Sequence, residues 1–355
     1  MVKELLFIPL FETFIKETAN GKRRKLNGER IKPQTVANYA SILKLLVDYE
    51  AFCGTPIRIK INIRNNVRAL LQERTYWKTF YRKFSDFLHK EKGCYDNFTG
   101  TVFKIIKSAF YYLKNEKCIA IQEFYESFYV RSENINIITL LPEQLCFLIL
   151  DKDFEMKLSR RLQIAKDMFV FGCTAALRYS DLMSICVKDV DEQSGSLFLR
   201  FKSVKTGTDV TIKLPGFACS LFKKYSANKN PGQKLFKHIA LTAFNKNIKK
   251  IGYEAGWTNT MGKYRSQNGE PKEIKNLSGK LFRFCDLLTS HVMRRTGITV
   301  LLMLEMPEYL VRKISGHTAS SASFFRYVNF AQSYITTEID KAHQKLLSLY
   351  DNTVE

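Results

Sequence analysis

The sequence is short of acid. Against 56 lysines and arginines stand only 34 aspartates and glutamates, a formal net charge of +22. The deficit is not local: residues 1–135 hold 24 Lys/Arg against 14 Asp/Glu, and the remainder 32 against 20. An excess shared by both halves suits a chain that holds a polyanion from two sides, and favours nucleic acid over a merely solvated basic surface. Other absences narrow the chemistry. No glycine-rich phosphate loop and no cluster of carboxylates is present, which speaks against a nucleotide cofactor or a catalytic metal. The eight cysteines (53, 94, 118, 146, 173, 186, 219 and 285) form no Cys-x-x-Cys pair and lie at no zinc spacing to histidine. They read as reduced, small apolar residues, as Cys146 does within Leu145-Cys-Phe-Leu. No apolar run reaches membrane-spanning length, and the start meets Pro9 and Glu12 too soon for a signal peptide. No membrane partner, no cofactor, no metal and a cytoplasmic, nucleoid-associated location are therefore expected.

What is present fits a folded chain of two domains. The length is 355 residues and 45% of them are hydrophobic. The first third reads as helices. Leu5 to Thr18 carries apolar residues at helical spacing and ends in the basic turn Gly21-Lys-Arg-Arg-Lys25. Thr35, after Pro33, is placed to cap a helix reaching about Phe52. Tyr76 to His89 and Thr101 to Asn115 are amphipathic, with Lys/Arg interleaved among aromatics that read mostly as core. Ser132 to Thr139 lacks helical periodicity. This gives a helical domain over 1–131, a linker over 132–140 and a second domain over 141–355. In the latter, helices are expected at Pro142–Asp151, Ser159–Phe171 and Ala240–Ala255, at His291, at Pro307 and after Ile335. Ser196–Phe201 and Asp209–Leu214 read as paired strands, and Asn268-Gly269 marks a second hairpin.

Six residues of the second half form an ordered set. Arg178 lies in Thr174-Ala-Ala-Leu-Arg178-Tyr-Ser-Asp181, and Lys205 in Ser203-Val-Lys205-Thr206-Gly207. His291 and Arg294 form a His-x-x-Arg after Thr289-Ser290, a good helix cap. His317 follows Gly316, and Tyr327 closes Phe324-Phe-Arg-Tyr327. Positions 291 and 294 share a helix face and can point at one phosphate. Arg295 lies about 100° further round and is expected to face solvent or DNA backbone. Arg178 ends a long apolar run and needs an anion, either Asp181 or a phosphate. Lys205 competes with Lys202 and Lys213, but it alone occupies the expected hairpin turn. Tyr327 has Tyr334 as its fallback. Together these side chains supply what phosphoryl transfer to a tyrosine needs without metal: arginines to clamp equatorial oxygens, groups to move protons, and a phenol to attack.

The order Arg…Lys…His-x-x-Arg…His…Tyr resembles the tyrosine recombinases, the phage-type integrases, well over residues 140–330 and loosely before. The Ser323-Phe324 context looks most like integrases of Bacteroides-group mobile elements. The resemblance implies a mainly α fold with a small antiparallel sheet (α+β), in which a helical core-binding domain precedes the catalytic domain and the two lobes form a C-shaped clamp on duplex DNA. It implies catalytic roles for Arg178, Lys205 (general acid for the 5′-oxygen), His291, Arg294, His317 and Tyr327 (nucleophile). It implies a 3′-phosphotyrosyl intermediate and a homo-tetramer on double-stranded DNA. Two departures stand out. Tyr327 is ten residues beyond His317 where nine is usual, and the extra residue is expected within Thr318–Ser323. Glu305-Met306 stands where a glycine turn is common. Ile335, Ile339, Ala342, Leu346 and Tyr350 give the tail one apolar stripe, expected to dock on a neighbouring protomer or on its own domain. The rival functions are DNA relaxation of the type IB topoisomerase kind and a catalytically silent DNA-binding regulator.

Overall fold

The computed structural model describes residues 3–61, 66–205, 207–318 and 321–351, the side chains at 322, 341, 342, 345 and 347–351 excepted. It divides into two compact units, Met1–Ile135 with Tyr264–Ile274, and Asn136–Lys263 with Lys275–Glu355. Among the described residues no helix is long and apolar enough to cross a membrane.

The first unit contains β1 (Lys3–Leu6), α1 (Phe7–Ala19), α2 (Pro33–Cys53), β2 (Arg58–Ile61), α3 (Val67–Lys90) and α4 (Asp96–Asn115). Helix α2 starts three residues earlier than read. Lys32 holds the N-cap position, Pro33 needs no amide partner at the first helical position, and Thr35 lies inside. Gly54, at φ 66°, ends the helix in the left-handed region. The short strands β1 and β2 pair antiparallel, with Leu5 opposite Ile59. The core is aromatic, as expected. Trp77 of α3 meets Phe110 of α4 edge-on at 5.0 Å and stacks on Phe124 at 4.9 Å. Phe7, Phe11 and Phe14 of α1 are fully buried.

The second unit runs α5 (Pro142–Leu150), α6 (Lys152–Lys157), α7 (Arg160–Thr174) and α8 (Tyr179–Ser184). It continues with β3 (Val190–Gln193), β4 (Ser196–Lys202), β5 (Asp209–Lys213), α9 (Gly216–Ser226), α10 (Leu241–Glu254) and β6 (Thr260–Met261). After β7 (Tyr264–Gln267) and β8 (Glu270–Glu273) come β9 (Phe282–Arg283), α11 (Phe284–Leu287), α12 (Ser290–Met303), α13 (Glu308–Ser315) and α14 (Ala322–Asp351). Strands β3-β4-β5 make a three-stranded antiparallel sheet, with Leu199 opposite Ile212. The paired strands read from the sequence are β4 and β5.

The hairpin β7–β8 belongs to the first unit, which the expected division into 1–131, 132–140 and 141–355 does not allow for. Its turn residues Asn268 and Gly269 have φ of 56° and 89°, so both are left-handed, as an Asn-Gly turn favours. Buried Asp96 accepts hydrogen bonds from their amides at 3.0 and 2.8 Å. Nor is the segment 132–140 a loose linker, although it has no regular structure. Glu133 accepts from Arg265 Nε at 2.7 Å, and the amide of Leu140 donates to Thr296 Oγ1 at 3.0 Å.

Two glycines bring α7 and α12 together. A Cβ at Gly172 would stand 2.1 Å from Met293 Sδ, and one at Gly297 would stand 2.1 Å from the Cys173 carbonyl. Backbone therefore meets side chain and backbone where larger residues would hold the helices apart. This contact sets the end of α7, and Arg178 beyond it, beside the start of α12.

Candidate active site

Arg178 is placed by a tight exit from α7. The amide of Leu177 returns to the Gly172 carbonyl at 2.9 Å, and Ala176 takes φ 47°. Arg178 then opens α8, and Asp181 lies one turn on, buried. Arg178 Nη1 donates to Ser203 Oγ at 3.2 Å and lies 3.8 Å from Asp181 Oδ2. The other oxygen of Asp181 accepts from the amide of Val204 at 2.9 Å. One carboxylate thus joins the arginine to the turn that carries the lysine. Within that turn Ser203 donates its amide to the Thr208 carbonyl at 2.9 Å, and Gly207, at φ 69°, donates to Ser203 at 2.8 Å. Thr206 lies outside the described residues. Lys205 is exposed in the turn, whereas Lys202 ends β4 and Lys213 ends β5.

Helix α12 presents His291 in its first turn and Arg294 one turn later. Thr289 occupies the N-cap position, but its side chain makes no cap bond; Asn245 Oδ1 instead accepts the amide of Ser290 at 2.7 Å. Arg294 is buried and pinned from both ends. Its Nη1 donates to the Ala176 carbonyl at 2.8 Å and its Nη2 to the Ser315 carbonyl at 2.5 Å. The same Nη2 lies 3.4 and 3.5 Å from the two ring nitrogens of His317. Arg294 therefore fastens together the approach to Arg178 and the approach to His317.

His317 follows Gly316, whose φ of 64° turns the chain off α13. Its Nδ1 is 2.7 Å from Ser315 Oγ. The single hydroxyl proton of Ser315 goes to the Val311 carbonyl at 2.7 Å. The hydrogen-bond pattern therefore assigns the imidazole proton to Nδ1 and leaves Nε2 as an acceptor. Tyr327 lies in the second turn of α14, buried, its ring 6.0 Å from that of His317. The nucleophile candidate is thus inside a helix, not ahead of a helical tail. Residues 319 and 320 of the loop expected to absorb the extra residue lie outside the described residues. Arg295 departs from expectation too. It is half-buried and within hydrogen-bonding reach of Tyr327, because α14 packs on the face of α12 that the sequence alone leaves to solvent. Tyr334 is engaged elsewhere: its hydroxyl donates to Glu143 at 2.7 Å, a bond that holds its pKa up at about 12.

The electrostatics of the cluster follow from crowded cations. His291 is exposed, yet desolvation by surrounding protein and then the charges of Arg295, Arg294, Arg178 and Lys205 push its pKa down to about 4. Burial, Arg294, Arg178 and Arg312 do the same to His317, also to about 4. Burial, with Arg178 beside it, lowers Arg294 to about 10. Asp181 is the carboxylate in hydrogen-bonding contact with this group, and its oxygens are already engaged. Such a site is favourable to an added anion.

Residues 157–333 match the phage integrase family. No curated protein is similar enough in sequence to this chain to count as a relative. Among solved structures, the chain resembles the Tn1549 transposon integrase in complex with transposon right end DNA, with TM-score 0.59 and 16% identity over 92% of this chain and 94% of that one. It resembles the XerH site-specific recombinase bound to palindromic difH substrate, with TM-score 0.57 and 14% identity over 95% of this chain and 83% of that one. It also resembles a lambda integrase dimer bound to a COC' core site, with TM-score 0.57 and 12% identity over 92% and 78%. At these identities the likeness establishes the fold.

Proposed function

We propose that this chain, which carries a phage integrase family domain over residues 157–333 and is a site-specific tyrosine recombinase, cuts and rejoins duplex DNA through Tyr327. The observation that carries the reading is the convergence of Arg178, His291, Arg294 and His317 on one cation-rich site, with Tyr327 beside it and Lys205 on the adjoining turn. Arg178 and Arg294 clamp the equatorial oxygens of the scissile phosphate, whose negative charge answers the cations already gathered there. The Tyr327 oxygen bonds to phosphorus as the bond from phosphorus to the 5′-oxygen breaks. Lys205 gives a proton to the departing 5′-oxygen. The phenol proton leaves to an acceptor, which we assign as Nε2 of neutral His317, unprotonated by the Ser315 contact and 3.5 Å from Arg294 Nη2. The 3′-phosphotyrosyl link keeps the phosphodiester energy, so the 5′-hydroxyl of a second strand can reverse the step. Residues other than the proposed six have supporting roles: Asp181 orients Arg178 and the lysine turn.

Recombination between two sites calls for four such chains on DNA, and the tail of α14 supports that assembly. Ile335 is half-buried, while Ile339 and Leu346 are 50% and 64% exposed. The side chains of Ala342 and Tyr350, also in the stripe, lie outside the described residues. The second unit has an open apolar groove of about 710 Å³, lined by Leu145, Ile149, Phe217, Val300, Leu301 and Leu304 among others. We take its occupant to be the distal half of α14 from a neighbouring copy. Ser323-Phe324 before Tyr327 supports a kinship with integrases of Bacteroides-group mobile elements.

The test is covalent trapping. Nicked suicide duplexes drawn from a random pool are incubated with the protein and resolved on a denaturing gel. The adduct forms with the native chain and not with Tyr327→Phe, and sequencing of trapped ends identifies the site. An adduct surviving in Tyr327→Phe moves the nucleophile elsewhere. Cleavage without joining between two DNA molecules assigns relaxation instead.

A further inference from the structure

Two leucines are more exposed than in an extended chain: Leu26 and Leu277, each at 109%. The next most exposed large apolar side chains among the described residues, Met156 and Val67, reach 72%. Single exposed leucines are ordinary. These two are set apart by sharing one backbone design in two different units. Lys25-Leu26-Asn27-Gly28 closes with the Gly28 amide on the Lys25 carbonyl at 2.9 Å and the Lys25 amide on the Glu29 carbonyl at 3.0 Å. Asn276-Leu277-Ser278-Gly279 closes with the Gly279 amide on the Asn276 carbonyl at 2.9 Å and the Asn276 amide on the Lys280 carbonyl at 2.9 Å. In both, leucine is the second turn residue and the fourth is a glycine at positive φ, 80° and 72°. This is the tight turn closed by a glycine bulge, and in both a side-chain amide braces it. Asn27 Oδ1 accepts the Glu29 amide at 3.2 Å, and Asn276 Oδ1 accepts those of Ser278 and Lys280 at 2.9 and 3.0 Å. The leucine is held at the apex of a rigid tip.

Both tips are also basic. Residues 22–32 contain six Lys/Arg against one acid, with Lys25 paired to Glu29 and Arg23 to Glu116, and residues 275–283 contain three Lys/Arg and no acid, with Arg283 paired to Asp286. A protein partner would meet an apolar tip ringed by cations poorly, whereas DNA offers phosphates to the ring and stacked bases to the apex. Resting on the DNA reading above, we propose that Leu26 and Leu277 are wedges that enter base steps of the bound duplex, while neighbouring lysines and arginines hold the flanking phosphates. Each insertion partly unstacks and unwinds the DNA.

The test needs no knowledge of the target site. Relaxed closed-circular plasmid is saturated with full-length Tyr327→Phe protein, treated with a type I topoisomerase and stripped of protein, and its topoisomers are counted; filter retention reports occupancy. Tyr327→Phe should shift the linking number. Adding Leu26→Ser and Leu277→Ser should cut that shift at least threefold at equal occupancy, whereas Leu26→Met with Leu277→Met should keep it. A shift that ignores both pairs overturns the wedges, as does no shift from the parent. Altered self-association with unaltered linking number also overturns them and assigns the tips to a protein partner. Failure to retain plasmid at all would count against the DNA reading itself.

Discussion

His291 and His317 are neutral imidazoles set among cations, and that has a sign that can be measured. Their pKa values of about 4 lie below the ordinary value near 6.5. The unfolded chain therefore takes up protons first as pH falls, so the stabilisation present above about pH 6.5 is lost on the way down to about pH 4. A bound phosphodiester reverses the field. Its anion raises both values, so binding of DNA near pH 5.5 should draw protons from solution. Titration calorimetry in buffers of different ionisation heat reads that uptake directly; release of protons, or none, would contradict the site. The two arginines should separate as well. Arg178→Ala should cost roughly a hundredfold or more in cleavage, as for other lost transition-state donors. Arg294→Ala should cost that and also leave the Ala176 and Ser315 carbonyls unpaired, at about 1–3 kcal/mol each, visible as a lower Tm. The residues of the set were legible because their chemistry and order are unusual together. Arg294 as a structural pin was not, since its partners are carbonyls, and any residue supplies a carbonyl. Arg295 was misread because helical geometry gives its direction but not what packs there.

Elements were legible where periodicity ran long. Helix α4 and strands β4 and β5 follow from spacing alone, whereas β1, β2 and β3 have four residues each, too few for alternation to declare itself. The turn between β4 and β5 carries the most exacting claim. With sulfur in place of the bridging 5′-oxygen the leaving group needs no proton, so Lys205→Ala should regain cleavage on that substrate and Arg294→Ala should not. Rescue of Lys202→Ala instead would put the general acid at the end of β4. The unusual Glu305 is a second test at this scale. It takes φ 62° just past α12, with its amide on the Leu302 carbonyl and that of Met306 on Leu301. The chain thus adopts the glycine conformation without the glycine. Glu305→Gly should relieve about 1 kcal/mol of left-handed strain and raise Tm without changing the rate of cleavage.

At the scale of the whole chain, the basic charge in both halves announced a polyanion partner, but that Tyr264–Ile274 joins the first unit was not legible. The Asn-Gly turn of β7–β8 was visible; its destination, on Asp96 and Glu133 far back in the sequence, depends on tertiary pairing that no local pattern encodes. The tail poses the same question of destination. Phe324, Tyr327 and Ala331 of α14 are buried in one cluster with Ala176, Ile298 and Val311, and Tyr334 packs against it. Beyond that point Ile339 and Leu346 are open. The helix therefore serves its own core up to Tyr334 and leaves an apolar stripe after it. A chain ending at Thr336 should keep its Tm close to that of the full chain and still form the covalent adduct on single sites, though more slowly. It should fail to pair sites and to recombine them, because the groove lined by Leu145, Leu301 and Leu304 would be left without a helix to fill it. Gel shifts with one and two sites per DNA, beside a recombination assay, separate the outcomes. Normal recombination would make the tail dispensable. An unfolded truncation would return the stripe to the protein's own core.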